Sequence, residues 1–434
     1  MKCLIALILI MCNTVFAQNL DSIQPTPPKA ESKSSFGTYT PNSGFRVADT
    51  DKGSLNIKIF SYIRYLNQMS LDTSYTDAFD QTKSINRRQD IQLNKVNITF
   101  LGWLMDPKFR YIFYVWTNNT AQGQAAQVVV AGNLSYRINK HFTFGGGINS
   151  LPGVRSTEGN FPFWLMVDNR SMSDEYFRPS YTTGVWMNGV IVDNLKYSVM
   201  VGNNLSQLGV DAGQLDAQLK TFSARLVWHP TTGEYGLNDN FGDFENHKKV
   251  ATRIGAHYTQ SREDRQGQPN TDVFENVQIR VSDGSVVFTP GLFGSGIFVS
   301  DVLYHMASFD VGAKYNGFSL EGEFYTRIVN DFEGNGIENL PFKELNDNGF
   351  QLQASSMVVD QKLQVYGVYS SIDGEYGNPS EYRIGINWHP WKNHVIRWNF
   401  EYIHSDRSPV GGLSLPYVIG GTGPIFHSNF TVNF

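Results

Sequence analysis

From Ser54 to Phe434 the chain alternates apolar and polar residues in run after run, and this period of two constrains its fold more than any other feature. Successive side chains on an extended strand point to opposite faces, so such a run has one greasy face and one wet face. In residues 54–67, Leu55, Ile57, Ile59, Ile63 and Tyr65 share one face, and Lys58, Tyr62 and Arg64 the other. In residues 91–104, Val96, Ile98, Phe100 and Leu104 stand opposite Lys95, Asn97 and Thr99. The pattern runs to the last residue, where Phe426, Phe430, Val432 and Phe434 alternate with Asn429, Thr431 and Asn433.

Seventeen segments fit the pattern, and no long amphipathic helix interrupts them. Each is roughly 9–14 residues long, the length a tilted strand needs to cross a bilayer. Connections alternate between tight turns (Asn139-Lys140, Asp193-Asn194, Asp360-Gln361 and Pro390–Lys392) and long loops (68–90, 150–182, 204–219, 261–274, 330–348 and 372–380). Short turns at one end and long loops at the other are the mark of an outer-membrane barrel. The fold class expected is therefore all-β: a transmembrane antiparallel barrel of about sixteen strands with long external loops. An even strand number is preferred, and 275–290 is the segment expected to be loop. Trp103, Trp116, Trp186, Trp228, Trp388 and Trp398 suit rings that settle at the water–lipid boundary.

Three regions follow. Residues 1–17 are expected to be a cleaved signal peptide: Lys2, the apolar run Leu4–Met11 and the small residue Ala17 at the exit. Both cysteines, Cys3 and Cys12, lie inside it, so no disulfide or thiolate site is expected beyond it. Residues 18–50, rich in Ser, Pro and Lys, cannot bury a core and are expected to be a flexible extension. Residues 51–434 form the barrel. The formal net charge of −5 argues against a nucleic-acid partner.

Within the barrel, parity assigns the wet faces to a lumen. Its basic residues are Lys58, Arg64, Lys95, Arg110, Arg225, Arg253, Arg327, Arg383 and Arg397; its acidic ones are Glu321, Glu323 and Glu401. Fixed cations in a pore favour anions. The long segment 150–182 is expected to fold inward as a constriction loop carrying Arg155, Glu158, Asp168, Arg170 and Arg178. The nine histidines lack metal-ligand spacing, and His427 and Ser428, being adjacent, face opposite ways and cannot form a nucleophile–base pair. No cofactor, metal or catalytic residue is expected.

Several segments resemble the phosphate-selective porin O and P family in its Bacteroidetes-type form. They are Gly53–Lys58, the pair Arg87-Arg88 followed by Leu93–Gly102 and by Asp106-Pro107 to Tyr111, then Leu226–Pro230, Gly385–Pro390 and Val395–His404. The resemblance spans about residues 50–434. It implies a sixteen-stranded barrel, usually trimeric, in outer-membrane lipid and passing small anions. That family's pores are dense in arginine and lysine, whereas this chain has 35 Lys+Arg in all. The functional expectation is a porin for passive diffusion of small ions and hydrophilic solutes. A hydrophobic-solute transporter or a non-conducting structural barrel is the alternative.

Overall fold

The computed structural model describes residues 37–40, 43–118, 127–157, 162–206, 218–266, 276–412 and 415–434. Its strands are β1 (Tyr39–Thr40), β2 (Gly44–Asp49), β3 (Gly53–Asn67), β4 (Ser74–Thr76), β5 (Thr82–Ser84), β6 (Gln89–Leu104) and β7 (Asp106–Asn118). They continue with β8 (Gln127–Arg137), β9 (Thr143–Ser150), β10 (Tyr181–Val192), β11 (Leu195–Gly202), β12 (Thr221–Trp228) and β13 (Ala251–Asp264). The last are β14 (Phe298–Tyr315), β15 (Phe318–Asn335), β16 (Glu344–Val359), β17 (Leu363–Gly374), β18 (Ser380–Trp388), β19 (Ile396–Asp406) and β20 (Gly423–Asn433). Among the described residues one short α-helix, α1 (Met172–Phe177), interrupts this all-β order.

Sixteen of these strands close a ring. β3 pairs with β6, each later strand pairs with the next, and β20 returns to β3 with Phe426 opposite Asn67 and Asn433 opposite Phe60. Every pairing is antiparallel, and β4 and β5 form a separate hairpin within a loop. The ring has no free edge because each ladder finds a partner. β3 is longer than β20, and the leftover part of its edge is taken by β2, with Phe45 opposite Ile57 and Asp49 opposite Ser54. The Phe45 and Phe434 rings meet at 5.7 Å where β2 takes over from β20. Residues 44–49, inside the stretch expected to be extension, are thus part of the sheet.

Local chemistry places the turns. Asn316 and Gly317 both have positive φ (50° and 82°), the geometry of a two-residue hairpin whose twist matches its strands. Asn194 (φ 68°) plays the same part between β10 and β11. On the loop side β14–β16 are longer than their apolar alternation implies, because their ends carry polar residues (Asp331, Glu333 and Asn346) past the apolar band. Segment 275–290 forms no strand; its described part has a single bridge, Arg280 to Val286.

The outer face is a continuous apolar band: Phe113, Leu134, Val185, Phe309, Phe324, Phe350, Leu352, Ile384 and Phe400 are all exposed large hydrophobics. A soluble protein does not leave such an area to water, and hydrocarbon accounts for it. Opposite parity points inward, where Arg64, Arg253, Arg327, Arg383 and Lys314 are among the most buried side chains.

Candidate functional site

The inside of the barrel has two unlike walls. On β13–β20 it is lined with charge. Inward-facing Glu263, Asp310, Glu321, Glu323, Asp347, Glu381 and Glu401 alternate with Arg253, Lys314, Arg327, Arg383 and Arg397, and all are buried. Parity had identified three of these acids; Glu263, Asp310, Asp347 and Glu381 complete the set. Arg253, Arg327 and Arg383 are therefore matched by carboxylates, and the wall is not a bare ladder of cations. Arg253 pairs with Asp310 at 2.7 Å and Asp239 at 3.1 Å, Arg327 with Asp347 at 2.5 Å, and Arg383 with Glu381 at 2.9 Å and Glu401 at 3.3 Å. Two histidines join in, His257 on Asp310 at 2.9 Å and His427 on Glu401 at 2.7 Å.

These charges hold irregular backbone. The expected inward loop enters between β9 and β10 and lies against β13–β20. Acids of the wall accept its N–H groups: Arg155 N donates to Glu323 (3.0 Å) and Met172 N to Glu381 (2.6 Å). Bases donate to its carbonyls: Arg383 to Arg170 O (2.5 Å), and Arg397 to Trp164 O (2.7 Å) and Pro162 O (3.2 Å). Non-helical backbone at membrane depth persists only where protein or water satisfies its polar groups, and this wall does so. Packing adds to it: the Phe177 ring stacks on Tyr325 at 5.2 Å, and Leu151, Val154 and Met172 are fully buried.

The loop's own expected site residues are engaged in the same way. Arg155 is buried, 2.8 Å from Glu321, with its guanidinium 4.2 Å above the Phe241 ring. Asp168 accepts from Tyr62 (2.9 Å) and pairs with Lys95 (2.6 Å), tying the loop to β3 and β6. Arg170 sits 4.1 Å over the Trp164 ring and donates to Ser156 (2.8 Å). Arg178 forms a fork onto Glu175 at 2.5 and 2.9 Å. Burial pushes the Glu175 carboxyl up, but the Arg178 and Arg170 guanidiniums outweigh it and leave it below the usual carboxylate range. Glu158 lies outside the described residues.

A second segment reaches inward from the other end. The turn between β12 and β13 runs from His229 to Val250, where other turns on that side take a few residues. Lys314 donates to the Tyr235 and Asn240 carbonyls at 2.8 and 2.7 Å. Gly242 N donates to Glu321 at 3.2 Å, and Arg155 of the inward loop donates to Asn240 O at 3.2 Å. The two segments therefore meet over one carboxylate, Glu321. Burial raises the Asp239 carboxyl, yet its hydrogen bond to His229 and the nearby Arg253 more than reverse this and hold it well below the ordinary range. The sequence reading left 230–248 without a role. Three aromatics in a glycine-rich stretch (Tyr235, Phe241 and Phe244) were its signal.

The other wall, β6–β12, is different. Between Pro107 and Trp228 the strands β7–β12 carry no Asp or Glu on either face. Their inward positions include Arg110, Arg137, Lys196 and Arg225, and Lys58 faces in from neighbouring β3. Arg110 and Arg137 are exposed, and Lys58, Lys196 and Arg225 half-buried, in contrast with the fully buried cations opposite. Of the nine basic residues assigned by parity, Lys58, Arg110 and Arg225 stand where the lumen is open. Arg64, Lys95, Arg253, Arg327, Arg383 and Arg397 stand in the packed part, with Arg64 donating to Asn429 at 2.9 Å.

A sixteen-strand antiparallel ring with a loop folded inside after its fifth barrel strand is the porin fold. Neither a protein-family model nor a curated protein sequence matches the chain. Solved structures do. The anion-selective porin from Comamonas acidovorans superposes with a TM-score of 0.53 at 10% identity, over 88% of this chain and 100% of that one. The trimer form of OmpT, an outer-membrane protein of Vibrio cholerae, gives 0.54 at 10% identity over 88% and 100%. The outer-membrane channel DcaP of Acinetobacter baumannii gives 0.51 at 8% over 89% and 99%. The likeness is one of fold: a porin-type barrel.

Proposed function

We propose that the chain is an outer-membrane porin through which small hydrophilic solutes diffuse passively, with anions, inorganic phosphate among them, favoured over cations. It carries out no catalysis. Residues 1–17 direct export and are cleaved, the part of 18–50 before β1 and β2 forms a polar extension, and three copies assemble in the membrane, as the trimer form of the Vibrio cholerae protein illustrates.

The observation that carries this reading is the division of charge inside the barrel. A fixed unit charge about 8 Å from a passing ion contributes about 0.5 kcal/mol in water before screening. On β13–β20 these contributions are largely taken up: Arg253, Arg327 and Arg383 have carboxylates beside them, and Lys314 and Arg397 are held by backbone carbonyls. On the acid-free wall the exposed Arg110 and Arg137 act with one sign, whereas Lys196 lies 3.7 Å from Asp239 of the turn-side segment. The net field along the open side therefore favours anions although the whole chain is acidic.

The test is a reversal potential in planar bilayers across a potassium chloride gradient. The parent protein should reverse on the chloride side of zero. Replacing Arg110 and Arg137 together with glutamate should move the reversal toward the potassium side. An unmoved potential in that variant removes the acid-free wall from selectivity, and a barrel that inserts without conductance steps is the structural alternative.

A further inference from the structure

Lumen-facing residues of a water-filled barrel are expected to be polar, and on most strands here they are. β6–β8 break that rule. Inward on β7 are Arg110, Ile112, Tyr114 and Trp116, one strand repeat of roughly 6.7 Å apart. Beside them on β6 stand Trp103 (opposite Arg110) and Leu101 (opposite Ile112); on β8, Ala131 faces Tyr114 and Val129 faces Trp116. Apart from Ala131 these apolar side chains are half-buried, less enclosed than the apolar side chains of the inward loop against the opposite wall. Apolar surface left facing a water-filled space is costly at about 25 cal/mol per Å² unless something apolar passes over it.

The stripe is bounded by cations. At the loop-side end Lys95, already paired with Asp168 at 2.6 Å, caps the Trp116 ring at 4.7 Å. Arg110 and Arg137 lie at the turn-side end, and Lys58 faces in beside Thr99, the partner of Tyr114. No carboxylate stands on β7 or β8 beyond Asp106 at the turn; Asp168 of the inward loop sits on Lys95 at the far end.

Resting on the porin reading, we propose that the stripe from Trp103 to Trp116 is a track for small organic anions with an apolar face, aryl carboxylates in particular. The ring of such a solute slides over Ile112, Tyr114 and Trp116 while its carboxylate passes Arg110 and Arg137 at the turn-side end and Lys58 beside Tyr114. Inorganic phosphate has the charge but no face for the rings. A neutral apolar solute has the face but nothing for the cations. The chemistry of the wall is selective for the combination.

The experiment uses the full chain in planar bilayers with potassium chloride, acetate and benzoate as probes under bi-ionic conditions. Benzoate, though larger, should be at least as permeant as acetate in the parent. Tyr114→Ala with Trp116→Ala should lower the benzoate-to-acetate permeability ratio roughly 2- to 10-fold, the size of one or two aromatic contacts, while chloride steps persist. Tyr114→Leu with Trp116→Leu, which keeps bulk, should give a smaller drop in the same direction. A parent that passes acetate more readily than benzoate overturns the proposal, as does an unchanged ratio in either double variant. Absence of any conductance in the parent overturns the porin reading instead.

Discussion

The two walls of this barrel are built from the same strand geometry and do opposite things with charge. On β13–β20 acids and bases are interleaved, buried and bonded to the backbone of two inserted segments. On β7–β12 no acid follows Asp106, and Arg110 and Arg137 stand open to the lumen. A buried ion pair adds little net stability against an apolar pair, yet losing one partner is costly because the other is left uncompensated. The packed wall is thus a device for holding irregular backbone in place, and its arginines are committed to that. Charge that can act on a solute is charge the fold does not need for itself. Counting inward cations conceals this distinction; asking what each one touches reveals it.

The comparison breaks most decisively at Arg383. Its guanidinium serves Glu381, Glu401 and the Arg170 carbonyl at once. Arg383→Leu should cost about 3–5 kcal/mol and appear as a lowered temperature for loss of heat-modifiable migration. Arg137→Leu on the open wall should stay within about 0.5 kcal/mol of the parent. Equal effects at the two positions would mean the walls are not energetically distinct. Next in size is Phe241→Ala. That ring is buried under Arg155 at the junction of the two inserted segments. Its removal should cost roughly 3 kcal/mol and widen single-channel conductance. Unchanged conductance would show that the turn-side segment does not narrow the path.

Parity alone put all nine basic residues on the lumen side, because the period of two survives every bulge once strands are read separately. The acids that neutralise several of them were harder to see. Asp347 and Glu263 fall in the stretches 330–348 and 261–274 expected to be loop, since polar residues above the apolar band hide the continuing ladder. Cross-strand partnership was invisible for a different reason. Arg383 meets Glu401 only through the register of β18 on β19, and Arg253 meets Asp310 through that of β13 on β14. Register is set by ring closure, not by any local window. The His229–Val250 segment has no period-two pattern, and its glycines and asparagines mask its purpose.

A subtler difference lies where the inserted segments meet the turns. His394 packs between the Phe163 ring of the inward loop (4.8 Å) and Phe244 of the turn-side segment (4.0 Å), with His389 5.5 Å away. Burial, then the nearby Arg397, pushes His389 down to about 3, and burial, His389 and Arg397 hold His394 well below the usual histidine value. Both rings are neutral in the folded protein, while the unfolded chain takes up protons below about pH 6.5. The unfolded state therefore binds more protons across that interval, and stability falls as pH drops from about 6.5 toward 3. A melting series should show this slope, and His389→Gln with His394→Gln should flatten it. A slope that is the same in both proteins would exclude the cluster as its origin.

The smallest expected effect tests the ring's closure. β20 is too short to cover β3, and β2 completes the ladder with Phe45 against the terminal Phe434. An aromatic contact of this kind contributes about 0.5–1.5 kcal/mol beyond its area. Phe45→Ala should lower the melting temperature slightly and leave selectivity untouched, because both rings face outward and neither touches the lumen. Hydrogen exchange would locate the change: the amides of Ser54–Ile57 should lose protection while those of Phe60–Leu66, paired with β20, keep theirs. Equal loss along both halves would mean that β2 is part of the closure itself rather than a cover on the edge that β20 leaves open.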